Sequence, residues 1–352
     1  MSPAPVARRS KALSSQFGLT ERIFASSADR RTVAAVERGL EQVEAGLLRE
    51  ISFSDGVADT TSRYLLSAGG KRVRPLLTLL TAQLGDGINE RVLTAAEAVE
   101  ITHLASLYHD DVMDEAERRR GVPTAQAVWG NSVAILTGDL LFARASKLIA
   151  SLGERAIRLQ ADTFERLVLG QLHETVGPQP EDDPVEHYID VLRDKTGSLI
   201  AAAAEFGAIF GNAPAGADTA VVEFGLSIGV AFQLVDDVID LSPHIEETGK
   251  QAGTDLRAGV PTLPLLYLRQ HALTDPSAAR LLDRIDRNLG VDDSPELSLA
   301  IEELREHEVT AITISEAHRH AENAVAALAP LPDGSVKSAL TRFADVMVER
   351  SS

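Results

Sequence analysis

The sequence contains no cysteine among its 352 residues. Disulfide bonds, zinc–thiolate sites and a cysteine nucleophile are therefore excluded, and the composition fits the reducing cytoplasm, where we expect the protein to be located. Basic residues are also few, because 34 Lys and Arg stand against 52 Asp and Glu and the formal net charge is −18. Nucleic acid is not an expected partner, since phosphate backbones are bound by clustered Lys and Arg.

Other familiar patterns are missing as well. No stretch approaches the run of about 18 uncharged apolar residues that a transmembrane helix requires. Arg8, Arg9 and Lys11 are not followed by the apolar core of a signal peptide. The glycine-rich stretches match neither G-x-x-x-x-G-K-[ST] nor G-x-G-x-x-G, and neither an H-E-x-x-H motif nor a local pattern of a Ser-His-Asp hydrolase occurs. The sequence thus supports neither an ATPase nor a dinucleotide-binding enzyme.

Helical periodicity dominates the chain from about Asp29 onward. Strand-like alternation is scarce, and apolar residues recur at i, i+3, i+4 and i+7. The clearest windows are Val33 to Leu48, Ile88 to Tyr108, Val133 to Leu152, Arg155 to Val176 and Val221 to Leu241. The sequence therefore predicts an all-α fold. We expect residues 1–25 to form a disordered tail and residues 26–352 a single domain, because no low-complexity linker divides the chain.

Two acidic clusters with the same D-D-x-x-D spacing are the most informative feature of the chain. The first contains Asp110, Asp111 and Asp114, and the second contains Asp236, Asp237 and Asp240. Positions i and i+4 share one face of a helix, so the outer aspartates of each cluster repel one another. A cation relieves that repulsion, and carboxylates with open coordination positions suit Mg2+ bound together with substrate phosphates. The pair of clusters predicts a diphosphate held between two helices.

A solvated acidic helix face is the alternative interpretation of each cluster. Taken alone, either motif fits that interpretation well, because acidic i, i+4 pairs are common on exposed helices. Both motifs, however, follow apolar runs, Ile101 to Tyr108 and Leu226 to Val235, and keep apolar residues at their inner positions. A solvent-facing stripe does not require such residues. The two motifs together therefore favour metal binding.

Basic residues gather at a few places that complement these clusters. A glycine-rich, cationic helix start contains Lys71 and Arg74, which lie three residues apart and can bind one anion together. Further cations follow each acidic cluster, at 118–120 and at Lys250, and Lys195 precedes the second. Such residues can simply complement a helix dipole. Their alternation with two acidic motifs in an acidic protein favours a phosphate-binding cavity. His103 lies two helical turns before Asp110 and shares its face.

These stretches resemble the trans-isoprenyl diphosphate synthase, or polyprenyl synthetase, family. The similar segments are GGKRVRP, HLASLYHDDVMDEAERRRGVPT, the Lys195-Thr196-Gly197 triplet, AFQLVDDVIDL and GKQAGTDLRAGVPTLPLL, in the order and roughly the spacing of that family. The resemblance covers most of the chain from about residue 30, and the tail and the region after about Leu268 match loosely. It implies an all-α bundle around a deep central cavity, usually in a homodimer.

The resemblance also implies roles for individual residues. Asp110, Asp111, Asp114, Asp236, Asp237 and Asp240 are implied to bind about three Mg2+ ions, and catalysis is implied to depend on Asp110, Asp114, Asp236 and Lys195. The implied pocket for isopentenyl diphosphate consists of Lys71, Arg74, His103 and Arg120. The implied contacts of the allylic diphosphate are Arg119, Lys195, Thr196, Gln233 and Lys250. Many members carry a lysine where this chain has Val260, and Arg257 is a candidate replacement.

Product length is expected to depend on Ala105 and Ser106. They lie about one helical turn before Asp110, where the tail of an allylic chain should run, and both are small. Because short-chain relatives often carry a bulky aromatic there, the resemblance implies a medium- or long-chain product, released with a transient membrane contact. The alternatives are a twenty-carbon geranylgeranyl diphosphate synthase, a class I terpene cyclase, which would not need the second diphosphate pocket, and a silent partner subunit, which would be expected to lose its acidic motifs.

Overall fold

The protein is described here from a computed structural model, over residues 18–24, 30–242, 252–291 and 294–349. Within these ranges the strands are Arg118–Arg119 and Val122–Pro123, which pair antiparallel in a hairpin. The other elements are helices, so the predicted all-α class is confirmed. Their bounds are Arg30–Glu50, Gly56–Ser67, Val73–Ala82, Glu90–Met113, Ala125–Trp129, Asn131–Leu152, Glu154–Val176, Pro184–Leu192, Ser198–Phe210, Ala217–Asp240, Thr254–Arg257, Leu263–His271, Pro276–Asn288, Pro295–Glu306, Glu308–Ala327 and Ser335–Val348, with a π-helical turn at Arg193–Gly197.

The helix starts follow from local side-chain chemistry. Asn89 accepts hydrogen bonds from the backbone N–H groups of Arg91 and Val92, and so caps the Glu90–Met113 helix. Asp183 accepts in the same way at the start of Pro184–Leu192, where proline occupies the first turn and has no N–H to satisfy. Each of these caps removes an unsatisfied donor from a helix terminus. The five helical windows predicted from periodicity agree with the observed helices within a few residues.

The N-terminal segment differs in part from the prediction. Residues 18–24 are helical, with Leu19, Ile23 and Phe24 buried. Leu19 and Ile23 are four residues apart on one helix face, which explains why this short stretch packs although its surroundings are polar. Residues 1–17 and residue 25 lie outside the described residues, so disorder there stays a prediction.

Backbone contacts divide the chain into two compact units. The first unit comprises Met1–Glu165, Leu199–Gly225 and Ala327–Phe343. In it, the Val73–Ala82 helix approaches Ser198–Phe210 closely, because a Cβ atom at Gly207 would lie only 2.1 Å from the Thr78 carbonyl oxygen. The Thr78 hydroxyl donates to the Ala203 carbonyl at 2.8 Å, which joins the two helices at the same place. The Val73–Ala82 helix, which follows the cationic turn at Lys71 and Arg72, is thereby fixed against the Ser198–Phe210 helix.

The second unit comprises Arg166–Ser198, Leu226–Ala326 and Ala344–Ser352. Its core is a cluster of buried aliphatic side chains, including Leu265, Leu281, Ile285, Leu297 and Leu304. These residues come from separate helices and recur at helical spacing, as the periodicity requires. The prediction of a single domain over 26–352 stays a prediction, as does the central cavity.

The Ala217–Asp240 helix is long and apolar enough, by length and composition alone, to cross a membrane. Charged residues interrupt its most apolar window of 18 residues, which is why the sequence shows no uninterrupted apolar run there. Within the structure, 67% of that window is buried by other parts of the chain. Burial of this kind is typical of a core helix, and the second acidic motif lies at its C-terminal end.

Candidate active site

The first acidic motif lies on the last turn of the Glu90–Met113 helix and on the residue that follows it. Asp110 is half-buried and Asp114 is exposed, and the Asp114 N–H donates to the Asp110 carbonyl at 2.8 Å. The outer aspartates therefore lie one above the other at the helix end, as the i, i+4 spacing predicts.

Asp111 has a different environment from the outer aspartates. Its side chain is completely buried, and its Oδ1 atom accepts a hydrogen bond from Arg119 Nε at 2.7 Å. The Oδ2 atom is buried without a hydrogen-bond partner. Burial raises the pKa of this carboxyl above its usual value, although Arg119 acts in the opposite direction. Arg119 thus contacts the first motif directly and fixes its middle residue.

The donors at this helix end fit Mg2+. They are carboxylate oxygens, the ligands that a hard divalent cation prefers. Across the described parts of the chain, no group of three or more His, Asp or Glu side chains is arranged to hold a metal ion. Mg2+ commonly retains waters and binds through one or two carboxylates plus substrate phosphates, so two outer aspartates suit it in that mode.

A cationic cluster lies in the same unit as the first motif and contains Arg74, Arg120 and His103. Burial lowers the pKa of Arg120 to about 10, so its guanidinium still carries its charge at neutral pH. Burial also lowers the pKa of Arg74, and the charges of Glu100 and Asp110 oppose that shift. The Nε atom of Arg74 is buried without a hydrogen-bond partner. The guanidinium group of Arg74 therefore lies close enough to Asp110 for their charges to interact.

His103 is neutral within this cluster. Burial first, and then the positive charges of Arg74 and Arg120, hold the pKa of its imidazole well below its usual value. A neutral imidazole has one N–H donor and one acceptor nitrogen, so His103 can donate a hydrogen bond to a phosphate oxygen without taking up a proton. Three of the four residues predicted for one diphosphate pocket are thus brought together. The fourth, Lys71, is exposed on the turn that precedes Arg74.

The two small residues predicted to control chain length are buried. Ala105 is fully buried, and Ser106 is 8% exposed. The Ser106 hydroxyl donates to the carbonyl of His103 at 2.9 Å, so its polar atom is satisfied within its own helix. A larger side chain at Ala105 must displace its neighbours or occupy adjacent space.

The second acidic motif closes the Ala217–Asp240 helix. Asp237 is 2% exposed and accepts a hydrogen bond from the Tyr188 hydroxyl at 2.7 Å. Asp240 accepts from the backbone N–H of Asp255 at 3.1 Å. Asp236 is half-buried. As in the first motif, the middle aspartate is buried and bound by another side chain of the protein.

Lys195 and Thr196 lie in the π-helical turn Arg193–Gly197. Lys195 Nζ donates to Glu174 Oε2 at 2.5 Å, and Gln171 Nε2 donates to the same oxygen at 3.0 Å. Gly170 permits this arrangement, because a Cβ atom there would lie 2.5 Å from the Lys195 backbone nitrogen. π-helical turns occur frequently at functional sites.

Gln171 and Glu174 were not recognised from the sequence. They are half-buried on the Glu154–Val176 helix, their neighbours in sequence include the exposed apolar residues Leu169 and Leu172, and no charged motif there indicates a site. The Gly170-Gln171 pair was the available signal, since a glycine inside a long helix commonly marks a close approach.

Gln233 and Lys250 are the remaining residues predicted to contact the allylic diphosphate. Gln233 is half-buried on the Ala217–Asp240 helix, and Lys250 lies outside the described residues. Val260 is 39% exposed. Arg257 is buried, and its guanidinium donates to the Ala252 carbonyl at 3.0 Å and to the Ser298 hydroxyl at 2.8 Å. These contacts give Arg257 a structural role in its own unit.

Comparison with known proteins decides the family. A family model described as Polyprenyl synthetase matches residues 56–296, which is more than half of the chain. The chain belongs to the polyprenyl synthetase family. The resemblance stated from the motifs is therefore confirmed, and so is the helical fold class.

Individual members of the polyprenyl synthetase family match most of the chain. The nonaprenyl diphosphate synthase of Mycobacterium tuberculosis is 44% identical over 318 residues, which cover 90% of this chain and 94% of that protein. The octaprenyl diphosphate synthase of Haemophilus influenzae is 34% identical over 315 residues, 89% of this chain and 94% of that protein. The polyprenyl synthase of Caulobacter crescentus, crystallised with calcium and isoprenyl diphosphate, has a TM-score of 0.82 and 31% identity, covering 93% of this chain and 99% of that one.

Proposed function

We propose that this polyprenyl synthetase condenses isopentenyl diphosphate head to tail with an allylic diphosphate. Repetition yields an all-trans polyprenyl diphosphate of about thirty carbons or more. The observation that carries the proposal is that both D-D-x-x-D motifs and the cationic cluster are intact in a chain similar, over about nine tenths of its length, to nonaprenyl and octaprenyl diphosphate synthases. Neither a cyclase nor a silent subunit requires that combination.

The first chemical step is ionisation of the allylic C–O bond. Asp110, Asp114 and Asp236 are proposed to hold about three Mg2+ ions together with the substrate phosphates. When bound, Mg2+ neutralises the charge that develops on the departing pyrophosphate. Lys195, which Glu174 holds in place, is proposed to bind the same diphosphate. Arg119, Thr196, Gln233 and Lys250 are proposed to assist it. No side chain acts as a nucleophile.

The second step is attack by isopentenyl diphosphate on the allylic cation. Lys71, Arg74 and Arg120 are proposed to bind its diphosphate through charge-assisted hydrogen bonds, and the neutral His103 donates a further one. Arg74, Arg120 and His103 are at least half-buried, so little water competes for their contacts, whereas Lys71 is exposed. The released pyrophosphate is proposed to accept the proton that is lost when the new double bond forms.

A homodimer is proposed as the functional assembly. On the Asn131–Leu152 helix, Ile135 is 41% and Leu136 is 65% exposed, and burial of these apolar side chains by a second subunit would stabilise such a dimer. Light scattering on the purified protein should give the mass of a dimer. Leu136→Glu should yield monomers, whereas Leu299→Glu, at an exposed leucine of the Pro295–Glu306 helix, should not. A cytoplasmic location and a transient membrane contact at product release are proposed as well.

The direct test is product analysis. Purified protein is incubated with labelled isopentenyl diphosphate, Mg2+ and allylic primers of increasing length, and the dephosphorylated products are separated by chromatography. We expect a ladder that ends at about thirty carbons or above. Products that stop at twenty carbons would show a geranylgeranyl-type enzyme, and a cyclic hydrocarbon formed without isopentenyl diphosphate would overturn the proposal.

A further inference from the structure

Arg72 differs from its neighbours in the cationic turn. Lys71 is exposed, but Arg72 is only 3% exposed, and its side chain points into the protein. Its backbone is left-handed, with φ 51° and ψ 38°, at the position that precedes the Val73–Ala82 helix. Residues other than glycine rarely adopt this backbone conformation, and it persists only where the surrounding structure stabilises it.

Two carboxylates hold the Arg72 guanidinium. Its Nε and Nη2 atoms donate to Glu44 Oε2 at 2.8 Å and to Glu44 Oε1 at 3.1 Å, which is a bidentate pair. Its Nη1 atom donates to Glu100 Oε1 at 3.2 Å. Glu44 lies on the Arg30–Glu50 helix and Glu100 on the Glu90–Met113 helix, so Arg72 joins both helices to the turn. We call these three residues the Arg72 network.

The Arg72 network determines where the next helix begins. The Arg72 carbonyl accepts the Leu76 N–H at 3.0 Å and so belongs to the first turn of the Val73–Ala82 helix. Arg74 lies in that same first turn. Because the guanidinium is fixed at one end and the backbone carbonyl at the other, the network sets the position of Arg74 relative to the Glu90–Met113 helix, which carries His103 and Asp110.

A second guanidinium meets the same turn. The Gly69 carbonyl accepts from Arg72 Nη1 at 3.3 Å and also from Arg120 Nη1. Gly70 leaves room for both, because a Cβ atom there would lie 2.4 Å from Arg72 Nη1 and 3.1 Å from the Arg120 guanidinium carbon. The guanidinium groups of Arg72 and Arg120 therefore lie close together, and a nearby negative charge is needed to offset their repulsion.

Glu100 supplies that counter-charge. Its carboxylate opposes the effect of burial on the pKa of Arg72, Arg74 and Arg120 alike. It is itself only 3% exposed. One buried carboxylate thus acts on three guanidinium groups and contacts one of them, that of Arg72, directly.

We propose that Glu100 is a positioning residue for isopentenyl diphosphate: through Arg72 it orients the Gly69–Pro75 turn, and it keeps Arg74 and Arg120 together without contacting the substrate. The inference rests on the proposed function and adds to it a residue that acts through others. Loss of the Glu100 charge should weaken capture of isopentenyl diphosphate, and should leave the allylic diphosphate and the ionisation step unaffected.

The chain offers a matched control in Glu97. It lies on the same helix, one turn before Glu100, and is 5% exposed. It packs on the same neighbouring helix, because a Cβ atom at Gly46 would lie 1.7 Å from Glu97 Oε1, and it pairs with Arg49 at 3.7 Å. Replacing either glutamate removes a buried carboxylate from the same helix. Glu97 contacts the Arg30–Glu50 helix directly, and Glu100 is joined to it through Arg72. Only Glu100 belongs to the Arg72 network.

The experiment compares the full-length protein with Glu100→Gln, Arg72→Lys and Glu97→Gln. Glu100→Gln should raise KM for isopentenyl diphosphate about tenfold or more, with kcat and the allylic KM changed by less than about twofold. Arg72→Lys should do the same, because an ammonium group cannot make the bidentate pair with Glu44. Glu97→Gln should leave both KM values within about twofold of the parent. Glu100→Asp, which keeps the charge, should recover part of the loss.

Several results would overturn the inference. They are an equal rise in KM for isopentenyl diphosphate in Glu97→Gln, an equal rise of both KM values in Glu100→Gln, or no change in either variant of the network. Should Glu100→Gln fail to fold, Glu44→Gln breaks the same network from the other helix and is read in the same way. If the parent protein forms no product from any primer, the proposed function itself fails. The positioning role is then tested separately, by measuring the affinity of the same variants for isopentenyl diphosphate with calorimetry.

Discussion

The Tyr188 hydroxyl donates a hydrogen bond to Asp237 at 2.7 Å, although the two residues are 49 positions apart in the chain. Asp237 is the middle residue of the second acidic motif and is 2% exposed. Burial raises the pKa of the Tyr188 hydroxyl well above its usual value, so this group remains a donor at any pH of interest. The contact fixes the carboxylate that lies between Asp236 and the end of the helix.

We expect Tyr188→Phe to lower kcat by about tenfold, because removal of one partner from a buried hydrogen bond costs about 1–3 kcal/mol and loosens the motif. The concentration of Mg2+ required for half-maximal rate should rise. Tyr267→Phe, at another partly buried tyrosine of the same unit, is the control. Equal rates in the two variants would show that the Tyr188 hydroxyl has no part in holding the motif.

Activity should depend on both acidic motifs. Asp110→Ala and Asp236→Ala should each reduce kcat by about three orders of magnitude or more, since each removes charge stabilisation from the ionising step. Asp162→Ala, at an exposed position of the Glu154–Val176 helix, should be active. Rates are measured with labelled isopentenyl diphosphate at saturating Mg2+. A nearly normal rate in either motif variant would exclude the two-motif mechanism.

The two diphosphate pockets should respond separately to mutation. Lys71→Ala and Arg74→Ala should chiefly raise KM for isopentenyl diphosphate, whereas Lys195→Ala should chiefly raise KM for the allylic substrate, because each lost phosphate contact affects its own ligand. Initial rates are measured with one substrate varied and the other saturating. Indistinguishable profiles in the two sets would mean that the pockets are wrongly assigned.

Product length should respond to Ala105. This residue is fully buried one turn before the first motif, and phenylalanine there overfills the space rather than changing the metal site. We expect Ala105→Phe to give shorter chains, with the first condensation largely retained, as measured by chromatography of dephosphorylated products. Ala98→Phe, at a buried alanine two turns earlier on the same helix, separates a general packing defect from a local block. An unchanged chain length would show that Ala105 does not face the growing product.

Glu97 should make stability depend on pH. Burial raises the pKa of its carboxyl from 4.5 to about 7, so between these values the folded state binds more protons than the unfolded state. The free energy of unfolding therefore decreases as pH rises through this window, by about 3 kcal/mol at most. Glu97→Gln should gain more stability at pH 8 than at pH 5.5, as measured by urea denaturation. Glu90→Gln, at an exposed carboxyl of the same helix, should show no such difference.

The sequence by itself determined the helical class, the helix positions and the spacing of the two acidic motifs. These are local properties, because apolar periodicity, capping residues such as Asn89 and the i, i+4 spacing of Asp110 and Asp114 act within one or two turns. The five motifs in family order then sufficed to identify the family. Composition also excluded disulfides and cysteine chemistry without any structure.

Only the tertiary structure decided how similar residues differ in role. Arg72 and Arg74 are only two residues apart. Arg72 is held by Glu44 and Glu100, whereas the charge of Arg74 interacts with His103 and Asp110. Contacts of this kind join residues tens of positions apart, and they depend on which helices pack together. The burial that raises the pKa of Glu97 and lowers that of His103 has the same origin, because a local pattern does not specify what lies across a helix interface.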